Sequence, residues 1–94
     1  MYHFTQENVD RSPTVPGVYE LYKNGTLIYI GMSETSIRSR LQAHFAGREG
    51  ACTQAATDYR REPTKATDAR SVESALLREY KKAAGKPPKC NEAG

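Results

Sequence analysis

The stretch Gly17-Val18-Tyr19-Glu20-Leu21-Tyr22-Lys23-Asn24-Gly25-Thr26-Leu27-Ile28-Tyr29-Ile30-Gly31 decides the fold. Two runs rich in β-branched and aromatic residues flank Asn24-Gly25, a pair that takes positive φ at low cost, and together they predict an antiparallel β-hairpin. Two turns are open to it. A two-residue turn at Asn24-Gly25 sets Tyr19 opposite Ile30 and sends Tyr19 and Tyr29 to opposite faces. A three-residue loop over Lys23-Asn24-Gly25, with Gly25 in a bulge, sets Tyr19 directly across from Tyr29.

On the C-terminal side, Met32 to Ser36 offers several helix caps before Ile37-Arg38-Ser39-Arg40-Leu41-Gln42-Ala43-His44-Phe45. Ile37, Leu41 and Phe45 recur every fourth residue and form one apolar stripe, with Arg40 and His44 side by side next to it. This helix is expected to stop near Gly47. From Arg48 to Lys65 the pattern is weak, and a short third strand is expected around Ala55 to Arg61. Asp68 is then positioned to cap a helix from Ala69 to about Ala84, with Gly85 as its stop and Lys81 and Lys82 at the negative end of its dipole. Its apolar arc is Val72, Leu76, Leu77 and Tyr80, and Glu73 falls inside that arc. A carboxylate there either meets a metal or a cation, or stays wet in the first turn and serves the helix N-terminus.

On the N-terminal side, residues 1–15 show no sustained period and lead up to Pro13 and Pro16, which reads as a mostly irregular arm before a domain spanning 16–94. Ninety-four residues make a single small domain. With 37% hydrophobic and 27% charged residues, the chain folds around a small core. No run reaches the roughly 20 apolar residues of a membrane span, and the N-terminus lacks a secretory pattern, so membrane association is not expected and the cytoplasm is the expected compartment. The two cysteines, Cys52 and Cys90, are too few and too far apart in sequence for a disulfide scaffold or a CxxC metal site, and read as reduced thiols, a single bridge being the alternative. Residues 60–89 carry nine basic side chains against four acidic ones. That surplus suits a polyanion as well as it suits an ordinary solvated helix.

Taken in order, Gly17-Val18-Tyr19, Tyr29-Ile30-Gly31, Arg40-Leu41-Gln42-Ala43-His44-Phe45, Glu73 with Leu76-Leu77, and Pro88-Lys89-Cys90-Asn91 resemble the motifs of the GIY-YIG nuclease family. The order and spacing of the five pieces is specific where each piece alone is weak. Val18 stands where the family name has Ile, a β-branched exchange that keeps the strand preference. Arg40, rather than Arg38, matches the family arginine because Leu41, His44 and Phe45 follow it in the usual order.

The resemblance implies an α+β fold with a small three-stranded antiparallel β-sheet flanked by α-helices. It also implies metal-dependent cleavage of DNA phosphodiesters, with DNA as the partner. By the match, Glu73 is the metal ligand, holding a single Mg²⁺ or Mn²⁺, hard ions that favour carboxylate oxygen. Arg40 binds the scissile phosphate through its fork of donors. Tyr19 is the general base, which requires cationic charge nearby to favour the phenolate. Tyr29 orients it by a hydrogen bond, His44 serves as a phosphate contact or proton shuttle, and Asn91 ties the C-terminal segment to the site. A site shared by Tyr19 and Tyr29 favours the three-residue loop. The alternative from another class is a non-catalytic module that keeps the fold and binds nucleic acid or a partner. A nuclease of this size also leaves room for delivery by a targeting partner or a second copy of the chain.

Overall fold

The computed structural model describes residues 1–93. The hairpin forms from β2 (Gly17–Lys23) and β3 (Thr26–Ser33). Asn24 (φ 50°) and Gly25 (φ 85°) both sit in the left-handed region, so the turn has two residues, with Lys23 opposite Thr26 and Tyr22 opposite Leu27. The register then shifts at Leu21/Tyr22, and beyond the shift Leu21 faces Tyr29 and Tyr19 faces Gly31. The expected three-residue loop, with Tyr19 across from Tyr29, is therefore corrected. The extra residue lies within the strand instead of the turn. Asn-Gly is best satisfied when both residues take positive φ, and the bulge moves along the ladder. The bulge still returns Tyr19 and Tyr29 to one face, two positions apart, with ring centroids 6.2 Å apart.

The sheet has four strands, not three, in the order β1-β4-β2-β3, where β1 is Tyr2–His3 and β4 is Asp58–Pro63. The added strand comes from the segment expected to be irregular. Two residues are too short to show a period, but they pair with Asp58 and Tyr59, and the Tyr2 ring stacks on Tyr59 at 5.4 Å. The same segment carries α1 (Gln6–Asp10), capped by Thr5, whose hydroxyl accepts from the Asn8 N–H. Val9 is fully buried, and the Ser12 hydroxyl meets the Tyr59 hydroxyl at 2.9 Å inside the core.

Helix α2 (Ile37–Phe45) forms as its pattern predicts, with the Ser36 hydroxyl accepting from the Ser39 N–H. Ile37 and Leu41 pack with Tyr19, Leu21, Tyr59, Phe4 and Val9 in one core against one face of the sheet. Each such burial contributes about 1.5–3 kcal/mol. The stretch with a weak pattern contains α3 (Ala51–Gln54) before β4. Helix α4 (Ala66–Ala84) starts three residues earlier than expected, at the Lys65 cap, so Asp68 lies in the first turn where its charge meets the helix dipole instead of capping it. It ends at Gly85 (φ 82°) as expected. Its Val72 and Leu76 face Val18 and Glu20, which alternate with Tyr19 and Leu21, so α4 covers the other face of the sheet. Helix α5 (Lys89–Ala93) packs on β3 and α3.

Cys52 of α3 and Cys90 of α5 form a disulfide with Cα atoms 5.6 Å apart, which overturns the reading of two reduced thiols. A separation of 38 residues hides a proximity that only the packing of α3 on α5 creates. No helix among the described residues is long and apolar enough to cross a membrane.

Candidate active site

Gly31 explains how two tyrosines converge. A Cβ there would stand 2.5 Å from the Tyr19 ring and hydroxyl and 2.7 Å from the Tyr29 ring. Only a residue without a side chain lets both rings close over the strand.

Helix α2 brings the next two groups. Arg40 and His44 lie one turn apart on one side of the helix, as their spacing predicts. The His44 ring is 1% exposed, 5.5 Å from the Tyr19 ring and 4.9 Å from the Tyr29 ring between centroids. Its Nε2 meets the Tyr19 hydroxyl at 2.8 Å, and its Nδ1 meets the Thr53 hydroxyl, also at 2.8 Å. The Arg40 guanidinium pairs with the Glu49 carboxylate, and its charge acts on the Tyr19 phenol. Arg38 is used differently: its Nε donates to the Ser12 carbonyl at 2.7 Å and anchors α2 to the N-terminal segment.

The electrostatics follow from burial and from Arg40. Burial pushes the Tyr19 phenol well above its ordinary range, Tyr29 adds to this, and Arg40 opposes it. Burial, with Arg40 next, pushes His44 down to about 4, so the imidazole is neutral at pH 7. Burial also holds Glu73 above the usual carboxylate range, against the pull of Arg70 and Arg40. Arg40 thus acts on Tyr19, His44 and Glu73 alike, although these come from β2, α2 and α4.

Glu73 is half-buried, as its position within the apolar arc of α4 predicts, and no side chain among the described residues pairs with its carboxylate. A partly desolvated carboxylate within reach of one arginine is a donor suited to a hard divalent ion that keeps most of its water ligands. No group of three or more His, Cys, Asp or Glu side chains gathers among the described residues, so the donor set fits one carboxylate plus water.

Two expected roles look different in the structure. Tyr29 reaches the group through ring packing, and its hydroxyl makes no hydrogen bond among the described residues. Asn91 spends both ends of its amide on β3: Nδ2 donates to the Ile30 carbonyl and Oδ1 accepts from the Ile30 N–H, each at 2.9 Å. It therefore closes the free edge of β3 between Tyr29 and Gly31 and ties the C-terminal segment there. Sequence reasoning missed Glu49 and Thr53, which line the cleft beside Tyr29 and His44 together with Cys52 and Cys90. Neither belongs to a periodic segment, so no local signal marks them.

A tyrosine hydrogen-bonded to a buried neutral histidine, with an arginine acting on both and on a half-buried carboxylate, is thus assembled on an α+β scaffold. A family model described as the GIY-YIG catalytic domain matches residues 15–86, and the chain belongs to that family. Among solved structures, the chain is similar to the GIY-YIG N-terminal endonuclease domain of UvrC from Thermotoga maritima bound to its catalytic magnesium. The two share 21% identity over 90% of this chain and 92% of that one, with a TM-score of 0.72. A form of that domain with an asparagine replaced by alanine gives 22% identity, 90% and 91% coverage and a TM-score of 0.70. A form with a tyrosine replaced by phenylalanine gives 20%, 90% and 92%, and 0.72. No curated protein sequence matches the chain.

Proposed function

We propose that this chain is a metal-dependent endonuclease that hydrolyses DNA phosphodiester bonds, with Tyr19 as general base, Arg40 on the scissile phosphate and Glu73 as the ligand of one Mg²⁺ or Mn²⁺. The observation that carries this reading is the buried hydrogen bond between the Tyr19 hydroxyl and His44 Nε2, with Arg40 in electrostatic reach of both and of Glu73.

As a buried phenol, Tyr19 is a poor base, because burial holds its proton in place. His44 offers a way out. Its neutral Nε2 has a lone pair 2.8 Å from the phenol, so the Tyr19 oxygen can take a proton from the attacking water in the same step as its own proton passes to Nε2. A coupled transfer of this kind avoids a free phenolate in a buried site, and Arg40 stabilises the negative charge that develops on the phenol oxygen. Arg40 presents its remaining donors to a phosphate, competing there with Glu49. A divalent ion on Glu73 would supply positive charge to stabilise the phosphate oxygens and the leaving group. The basic side chains of residues 60–89 would grip the phosphate backbone without reading sequence.

The test is nicking of supercoiled plasmid in Mg²⁺, Mn²⁺ or EDTA at low salt by the wild type, Arg40→Ala and Glu73→Ala. Nicking is expected to require the metal and to fall about 10²–10³-fold in Arg40→Ala. No nicking by the wild type, with salt-sensitive DNA binding intact, would support the non-catalytic module instead.

A further inference from the structure

The polarity of the hydrogen bonds around Tyr19 leads one residue beyond the proposed machinery, to Thr53. Among the described residues the Tyr19 hydroxyl has one hydrogen-bond partner, His44 Nε2, and Arg40, whose charge acts on the phenol, offers no acceptor. The phenol keeps a hydrogen of its own. Left unmatched in a buried site it would cost about 1–3 kcal/mol, and the acceptor in reach is His44 Nε2 at 2.8 Å. Nε2 is then an acceptor. A neutral imidazole accepting at Nε2 carries its hydrogen on Nδ1, and Nδ1 lies 2.8 Å from the Thr53 hydroxyl. Both side chains of that contact are buried, with Thr53 3% and His44 1% exposed, so water does not readily replace it. The donors run in one direction, from Tyr19 to His44 to Thr53.

We propose that Thr53 is a positioning residue that holds His44 as the Nδ1–H tautomer and so keeps Nε2 free to take the Tyr19 proton. The catalytic side of this inference rests on the reading of Tyr19 as general base; the tautomer itself does not. With the hydrogen on Nε2 instead, His44 would donate to Tyr19 and could not receive its proton. Thr53 is suited to the task because it is the one buried residue of α3, and its hydroxyl accepts from Nδ1 without adding a charge to the cleft.

The experiment compares wild type, Thr53→Val and Thr53→Ser, each labelled with ¹⁵N-histidine. Val keeps the branched shape and removes the hydroxyl; Ser keeps the hydroxyl. Ring nitrogen spectra of His44 in the folded proteins report which nitrogen holds the hydrogen, and single-turnover nicking and DNA affinity are measured on the same samples. The expected wild-type spectrum has a protonated Nδ1 and a bare Nε2. Thr53→Val is expected to lose that bias and to slow nicking by about 10–100-fold at unchanged DNA affinity. Thr53→Ser is expected to restore the tautomer and most of the rate. A wild-type spectrum with the hydrogen on Nε2 overturns the proposal, and it needs no variant to fold. Slower nicking in Thr53→Val with the Nδ1–H form retained also overturns it, since the effect would then be structural. If the wild type does not nick DNA, the endonuclease reading fails while the spectra still decide whether Thr53 sets the tautomer.

Discussion

The two walls of the Tyr19 cleft are built in opposite ways. On one side, α2 has nine residues, a side-chain cap at Ser36 and two apolar residues, Ile37 and Leu41, sunk in the core. It holds Arg40 and His44 by ordinary helix packing. On the other side, α3 has four residues and no side-chain cap, and α5 has five. Helices this short do not persist alone. What holds them is a covalent bond between Cys52 and Cys90 and the two hydrogen bonds of Asn91 to Ile30. A group that needs one fixed geometry is thus clamped between a wall stabilised by burial and a wall stabilised by cross-links.

Leu41→Ala breaks the first wall. It removes a fully buried side chain from under Arg40 and His44 and is expected to cost about 2–5 kcal/mol, read as a shift in the urea midpoint. A cost within experimental error would mean that α2 does not depend on its apolar stripe. Reduction of Cys52–Cys90, or Cys90→Ser, breaks the second wall. It reopens a loop of 38 residues and is expected to cost about 2–4 kcal/mol. Hydrogen exchange sharpens the contrast: on reduction, amides of α3 and α5 should lose protection before those of α2. Uniform loss across all three helices would erase the distinction between the walls.

The smallest effect concerns the group between the walls. His44 sits near 4 in the folded chain and near 6.5 when unfolded, so between those values the unfolded state binds more protons. The stability gained by keeping it neutral is present in full above about pH 6.5 and is lost as pH falls toward 4. The change is roughly 2–3 kcal/mol, and His44→Gln should flatten the curve in that window. An unchanged slope in that variant would show that other groups cause the acid loss.

The first wall was far more legible than the second. Ile37, Leu41 and Phe45 announce α2 by their spacing, and Arg40 and His44 inherit their side of the helix from it. Glu73 betrays itself as a charge inside the apolar arc of α4. The hairpin is legible as a hairpin but the place of its bulge is not, because a ladder can take up one extra residue in the turn or at Ile28 and leave Tyr19 and Tyr29 on one face either way. Nothing local marks Thr53 as a partner of His44, Cys90 as a partner of Cys52, or Tyr2-His3 as a fourth strand. Each gains its meaning from a segment distant in the chain, 38 residues away for the disulfide.

Local patterning therefore settled which segments become β2, β3, α2 and α4 and which of their faces turn inward, because helix and strand periods act over a few neighbouring residues. Tertiary packing alone decided that the Tyr19 hydroxyl would meet His44 and that His44 would meet Thr53, and that the N-terminal segment would complete the sheet. It also decided which cysteine would meet which. Those contacts depend on how elements dock, and docking is governed by burial and hydrogen-bond satisfaction over the whole molecule, not by the order of residues within any one stretch.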